Sequence, residues 1–148
     1  MPGRPPFSEK VASVWSNSRL WYVLTTGYAA LVALASLLPG NRLPTIPDWS
    51  RLFSPDKVAH FGVYAIFALL LSVCFSERGK TRTTVIAFSV AAGFGALMEI
   101  LQGISGTGRQ ADVVDMVANA LGALLGIAIW LLLQQLKNWF RDRPEPSE

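Results

Sequence analysis

Charge is scarce in this sequence, and so are cysteine and histidine; each scarcity closes off a class of protein. Charged residues make up 16% of the 148 positions, where a soluble globular domain carries about a quarter. The single cysteine, Cys74, excludes a disulfide within the chain. The single histidine, His60, excludes the common zinc centres built from several histidines. No GxSxG, SxxK or HExxH pattern is present, so the best-known serine and zinc hydrolase signatures are missing. No internal repeat suggests the two halves of an alternating-access transporter.

What is present is apolar. Hydrophobic residues are 51% of the chain, and they gather in four stretches almost free of charge. The stretches run from about 21 to 38, from 55 to 75, from 84 to 104 and from 113 to 136. Each has roughly the 20 residues that an α-helix needs to cross a hydrocarbon core of about 30 Å. The second opens with Ser54-Pro55, a serine before a proline suited to the first helical position. The expected fold is therefore all-α: a polytopic bundle of four transmembrane helices, with the lipid bilayer as its first partner. Cleavage of the first stretch as a signal peptide is the rival reading, since Arg4, Lys10 and Arg19 precede it and Ala33-Leu34-Ala35 resembles a cleavage site. The run is longer than a usual signal core, which favours a retained helix.

Charge sets the expected orientation. The net charge of +3 comes from short basic clusters between apolar stretches, not from one basic face. Such clusters mark topology and contacts to anionic lipid, and no nucleic-acid partner is expected. Arg4, Lys10, Arg19, Arg78, Lys80, Arg82, Lys137, Arg141 and Arg143 lie on one side of the bilayer in a four-span arrangement. Arg42, Arg51, Lys57 and Arg109 lie on the other. The excess places both termini in the cytoplasm. Residues 1–18 are then a cytoplasmic segment, 19–136 the membrane domain and 137–148 a polar, disordered cytoplasmic tail. Trp15, Trp21, Trp139 and Phe140 are expected anchors at the interfaces, with Trp49 on the outer surface.

The polar residues within the spans are not scattered. Asp56, Lys57, His60 and Tyr64 open the second helix, Glu99 and Gln102 close the third, and Arg109, Asp112, Asp115 and Asn119 lead into the fourth. Consecutive spans are antiparallel, so all three groups meet at one end of the bundle, the outer one by charge. Lys57, His60 and Tyr64 form one helical stripe, and Gly95, Glu99 and Gln102 another. Asp112, Asp115, Asn119, Gly122 and Gly126 form a third, with Gly122 and Gly126 making a GxxxG pair that suits close packing and homo-oligomer formation. Ionisable groups inside spans persist when paired or when function requires them.

Two roles are open for this cluster. As a salt-bridge network it would pin three helices together. As a pocket it would use Glu99, His60 and Asp56 as candidate catalytic groups, with the remaining polar residues as binding groups. An oxygen-rich Mg²⁺ or Mn²⁺ site from Asp56, Glu99, Asp112 and Asp115 stays open but has no diagnostic spacing, so no metal is assigned and the cofactor, if any, is unknown. The loop from 103 to 109 reads as a turn before an anion-binding nest, and Ser105 and Thr107 lack any nucleophile motif.

Taken together, Asp56-Lys57-x-x-His60-Phe61-x-x-Tyr64, Glu99-x-x-Gln102 and Arg109-x-x-Asp112-x-x-Asp115-x-x-x-Asn119-x-x-Gly122 resemble the VanZ-like family of bacterial membrane proteins. The resemblance covers roughly residues 20–135. It implies a multi-pass protein of the bacterial plasma membrane, acting at the cell envelope, with a possible link to resistance to the glycopeptide teicoplanin. Under that expectation Lys57, Tyr64, Gln102, Arg109, Asp112, Asp115 and Asn119 would bind an anionic or polar headgroup of a lipid, cell-wall precursor or glycopeptide. The alternatives are an intramembrane enzyme acting on a lipid-linked substrate and a helical partner of another membrane protein.

Overall fold

A computed structural model describes residues 18–38, 54–106 and 110–142. The described residues form four α-helices: α1 (Ser18–Ser36), α2 (Pro55–Cys74), α3 (Lys80–Ile104) and α4 (Val113–Arg141). A short 3₁₀ turn, Ser76–Arg78, joins α2 to α3, and there is no strand among the described residues. Helices α2, α3 and α4 are long and apolar enough to cross a membrane. Helix α1 has 19 residues but falls short of that measure, since Arg19, Thr25, Thr26 and Gly27 dilute its apolar run.

The packing is inverted relative to a water-soluble bundle. Ala68, Ala87, Ala91 and Ala123 are fully buried, while Val85, Leu97, Ile100, Val117, Leu121, Leu124 and Leu132 point outward. Small residues inside and large aliphatic ones outside is the arrangement expected where lipid, not water, is the solvent. A few aromatics fill what remains: Phe67 sits 6.1 Å from Tyr28 and 5.4 Å from Phe94, ring centre to ring centre. Hydroxyls on the helices bond back to their own backbone, as where Ser72 Oγ donates to Ala68 O at 2.7 Å and Thr25 Oγ1 to Trp21 O at 2.7 Å.

Element ends follow local chemistry. Pro55 starts α2 as its fixed backbone favours, although the Ser54 side chain makes no cap hydrogen bond. Asp112 caps α4, its Oδ1 accepting from the Val114 N–H at 2.8 Å. Helix α3 starts at Lys80, before the expected position 84, because Gly79 turns the chain at φ +85° and nothing in Lys80-Thr81-Arg82 breaks a helix. Buried Thr83 then ties the turn by donating to Phe75 O at 2.7 Å. Helix α4 runs on to Arg141, past the expected end at 136, so that Trp139 and Phe140 are helical and exposed. Its last turn holds no breaker, and Arg141 suits the negative end of the helix dipole. Trp15, Trp49 and the tail beyond 142 lie outside the described residues.

The most intimate contact is between α2 and α4. A Cβ placed on Gly122 would lie 2.1 Å from Phe61 O, and one on Gly126 would lie 2.1 Å from Ala65 O. The GxxxG pair therefore lets α4 rest directly on the α2 backbone within one chain. Gly122→Ala and Gly126→Ala are each expected to cost about 1–3 kcal/mol by overpacking. Gly62→Ala, where an added Cβ meets nothing within 4 Å, should be neutral or stabilising by up to ~1 kcal/mol. Thermal unfolding in detergent micelles checks this, and equal midpoints for all three variants would contradict the packing described.

Candidate functional site

The α2–α4 contact fixes which side chains meet. Lys57, in the first turn of α2, reaches across to α4, where Nζ donates to Asp112 Oδ2 and to Asp115 Oδ1, each at 3.2 Å. One turn deeper, His60 Nδ1 lies 3.0 Å from Asn119 Oδ1 and 3.6 Å from Glu99 Oε1. Two oxygens thus face one ring nitrogen, so Nδ1 carries the proton and donates to Asn119. The other nitrogen, Nε2, looks toward Asp56 Oδ1 at 3.8 Å. That is an electrostatic approach and not a hydrogen bond.

Helix α3 closes the cluster from behind. Glu99 is only 1% exposed, and its Oε2 accepts from the Asp112 backbone N–H at 3.2 Å. Glu99 therefore links the start of α4 to His60. Gln102, equally buried, donates from Nε2 to Ser36 O at 2.9 Å and so ties α3 to the end of α1. Tyr64 and Asn119 pack into the space left by Gly95, where an added Cβ would lie 2.9 Å from Asn119 Nδ2 and 3.1 Å from Tyr64 Cε1.

Two donors in this region are left over. Tyr64 Oη and Asn119 Nδ2 are buried and find no hydrogen-bond partner among the described residues. Buried donors in this state usually mark a bound water, ion or ligand group. Tyr64 and His60 also line a cavity of about 400 Å³ between α1 and α2. Its walls are apolar, from Tyr28, Leu31, Val32 and Val63, while Ser36, Asp56 and Gln102 make its end polar.

Asp112 sits just outside the α4 span. The Val114 N–H first, and Lys57 second, hold its carboxyl below the usual carboxylate range. The stability this contributes is present above the ordinary carboxylate pKa and is lost as pH falls through the lowered value. Among the described residues of the cluster no free cation results, because Lys57 is committed to two carboxylates.

Nine of the ten residues read from the sequence as a site are thus gathered at one end of the bundle, and the tenth, Arg109, lies outside the described residues, as does Thr107. The sequence pattern of the VanZ/LLP1 family matches residues 8–134. The chain belongs to the VanZ/LLP1 family. It is also 35% identical over 79 residues to the uncharacterised protein C11E3.10 of the fission yeast Schizosaccharomyces pombe. That alignment covers 52% of this chain and 47% of the yeast protein, so the chain spans about half the length of the curated relative it matches. No solved structure matches.

For this VanZ/LLP1 protein, the sequence alone pointed to His60, Glu99 and Asn119 but missed Ser36 and the function of Gly95. Ser36 contributes only a backbone carbonyl, which no side-chain pattern reveals. Gly95 was legible as a member of the Glu99 stripe, although not as the space that Tyr64 and Asn119 occupy. Ser105, considered as a nucleophile, donates instead to Gln102 O at 3.0 Å within its own helix end.

Proposed function

We propose that this protein is a four-span membrane protein whose polar end holds the headgroup of a membrane amphiphile, with the tail in the cavity between α1 and α2. The observation that carries the reading is the cavity itself: apolar walls leading to His60, Gln102 and Asp56, with the Tyr64 hydroxyl, which has no partner among the described residues, on its lining. A site of about 400 Å³ suits part of a lipid and is of the size that ligand pockets usually have. Tyr64 and Asn119 would donate to headgroup oxygens, and Gln102 would orient them. Lys57 is engaged by Asp112 and Asp115, so its part is to hold the site together.

In this reading α1 is the first span, both termini are cytoplasmic and the polar end faces outward from the bacterial plasma membrane. The excess of Lys and Arg at the termini and between α2 and α3 supports that orientation. A role in the cell envelope, on a lipid-linked precursor or on a glycopeptide such as teicoplanin, requires it. Because Gly122 and Gly126 pack against α2, a homo-oligomer would use another face.

A second reading has its own observation. His60, oriented by Asn119 and Glu99 with Nε2 turned toward Asp56, has the form of an acid–base residue beside a lipid-accessible cavity. The protein would then be an intramembrane enzyme acting on a lipid-linked substrate.

Two measurements test the proposal. On a Cys74→Ser background, cysteines at exposed Gln110 and Lys80 are probed in intact cells with an impermeant maleimide. Labelling at 110 alone is expected; labelling at 80 alone would turn the polar end toward the cytoplasm. Native mass spectrometry of the protein extracted from its membrane should show a retained phospholipid. Filling the cavity by Ala35→Trp should abolish that retention, and Tyr64→Phe should lower it several-fold. Retention unaffected by Ala35→Trp would sink the amphiphile reading, whereas a chemically altered bound lipid would favour the enzyme.

A further inference from the structure

We propose that Asp56, His60 and Asp115 bind one divalent metal ion of the Mn²⁺ or Zn²⁺ type. One ligand atom from each of these residues lies within 4.8 Å of the other two. Ligand atoms held about 2.0–2.2 Å from a tetrahedral ion stand about 3.3–3.6 Å apart, so closure on an ion requires a movement of up to about 1.5 Å. Asp56 can supply it, since its side chain is about half exposed (53%) in the first turn of α2.

The histidine is set up for the role. Its Nδ1 donates to Asn119 Oδ1 and faces Glu99 Oε1, which leaves the Nε2 lone pair directed to the Asp56 side. Histidines that bind metals are held in this way, with the second ring nitrogen donating to a carbonyl or carboxylate behind it. Asp115 is similarly held, its Oδ1 accepting from Lys57 Nζ at 3.2 Å.

An independent observation points to a ligand here. The Tyr64 hydroxyl, in a residue 2% exposed, has no hydrogen-bond partner among the described residues. Tyr64 shares the cavity wall with Asp56 and His60, where its hydroxyl can donate to a water or oxyanion that completes the ion's coordination.

The donor set selects the ion. One imidazole with two carboxylates offers too few oxygens for Ca²⁺, which takes six to eight. Mixed nitrogen and oxygen donors without thiolate suit Mn²⁺ and Zn²⁺. The inference does not depend on the amphiphile reading, although a bound ion would supply the positive charge that Lys57 does not offer to an anionic headgroup.

The test uses the full chain, free of any affinity tag, in phosphatidylcholine nanodiscs after chelator treatment. It is titrated with Mn²⁺ alone and followed by electron paramagnetic resonance. One equivalent of Mn²⁺ is expected to bind, and His60→Gln and Asp115→Asn should each weaken it at least about tenfold. Pulsed measurements on the unaltered protein should show coupling to a single imidazole nitrogen, which decides the matter even where a variant fails to fold. Absence of stoichiometric binding, bound Mn²⁺ without nitrogen coupling, or equal affinity in folded variants would overturn the proposal.

Discussion

The close approach of α2 and α4 sets which polar side chains of those two helices meet. With Gly122 and Gly126 resting against the carbonyls of Phe61 and Ala65, the two helix axes come close enough for Lys57 to span to Asp112 and Asp115 and for His60 to meet Asn119. A bulkier residue at either glycine would push the helices apart by more than the slack in hydrogen bonds of 3.0–3.2 Å. In lipid there is no hydrophobic force to draw helices together, so this contact rests on packing and on the polar groups it brings into range. Packing and site are one structure here, and neither persists without the other.

The electrostatics follow from that geometry. Lys57 serves two carboxylates at once, so removing it would leave Asp112 and Asp115 facing each other without their shared cation. Glu99 lies deeper and relies on a backbone N–H and on the imidazole. The result is a layered site. Lys57, Asp112 and Asp115 form the outer brace, and Glu99 and Asn119 stand behind His60. Between them His60 turns Nε2 toward Asp56, beside the cavity that Tyr64 and Gln102 also line.

Much of this was legible in the sequence, for reasons that can be named. Spans α2, α3 and α4 announce themselves by uninterrupted apolar runs, and three-and-four spacing puts Lys57, His60 and Tyr64 on one face. Antiparallel succession then brings the three polar groups to one end. Spacing reports a face but not the neighbour that the face meets. So the Gly122–Gly126 pair suited both inward packing and contact between chains, and the structure shows it against α2 of the same chain. Likewise Lys57 read as a cation available to a ligand, because sequence cannot show that two acids on α4 reach it first. The helix ends at 80 and 141 escaped because polar residues continue a helix when no breaker intervenes. The carbonyl of Ser36 escaped because backbone groups carry no sequence signal.

The central claim is that Asn119 and Glu99 hold His60 from behind, with the proton on Nδ1 and Nε2 presented to Asp56. Since His60 is the only histidine in the chain, ¹⁵N-histidine labelling gives an NMR spectrum with a single assignable ring. The account predicts a protonated Nδ1 hydrogen-bonded to an oxygen, lost or altered in Asn119→Leu. An Nδ1 found without its proton, with the hydrogen on Nε2 instead, would contradict it.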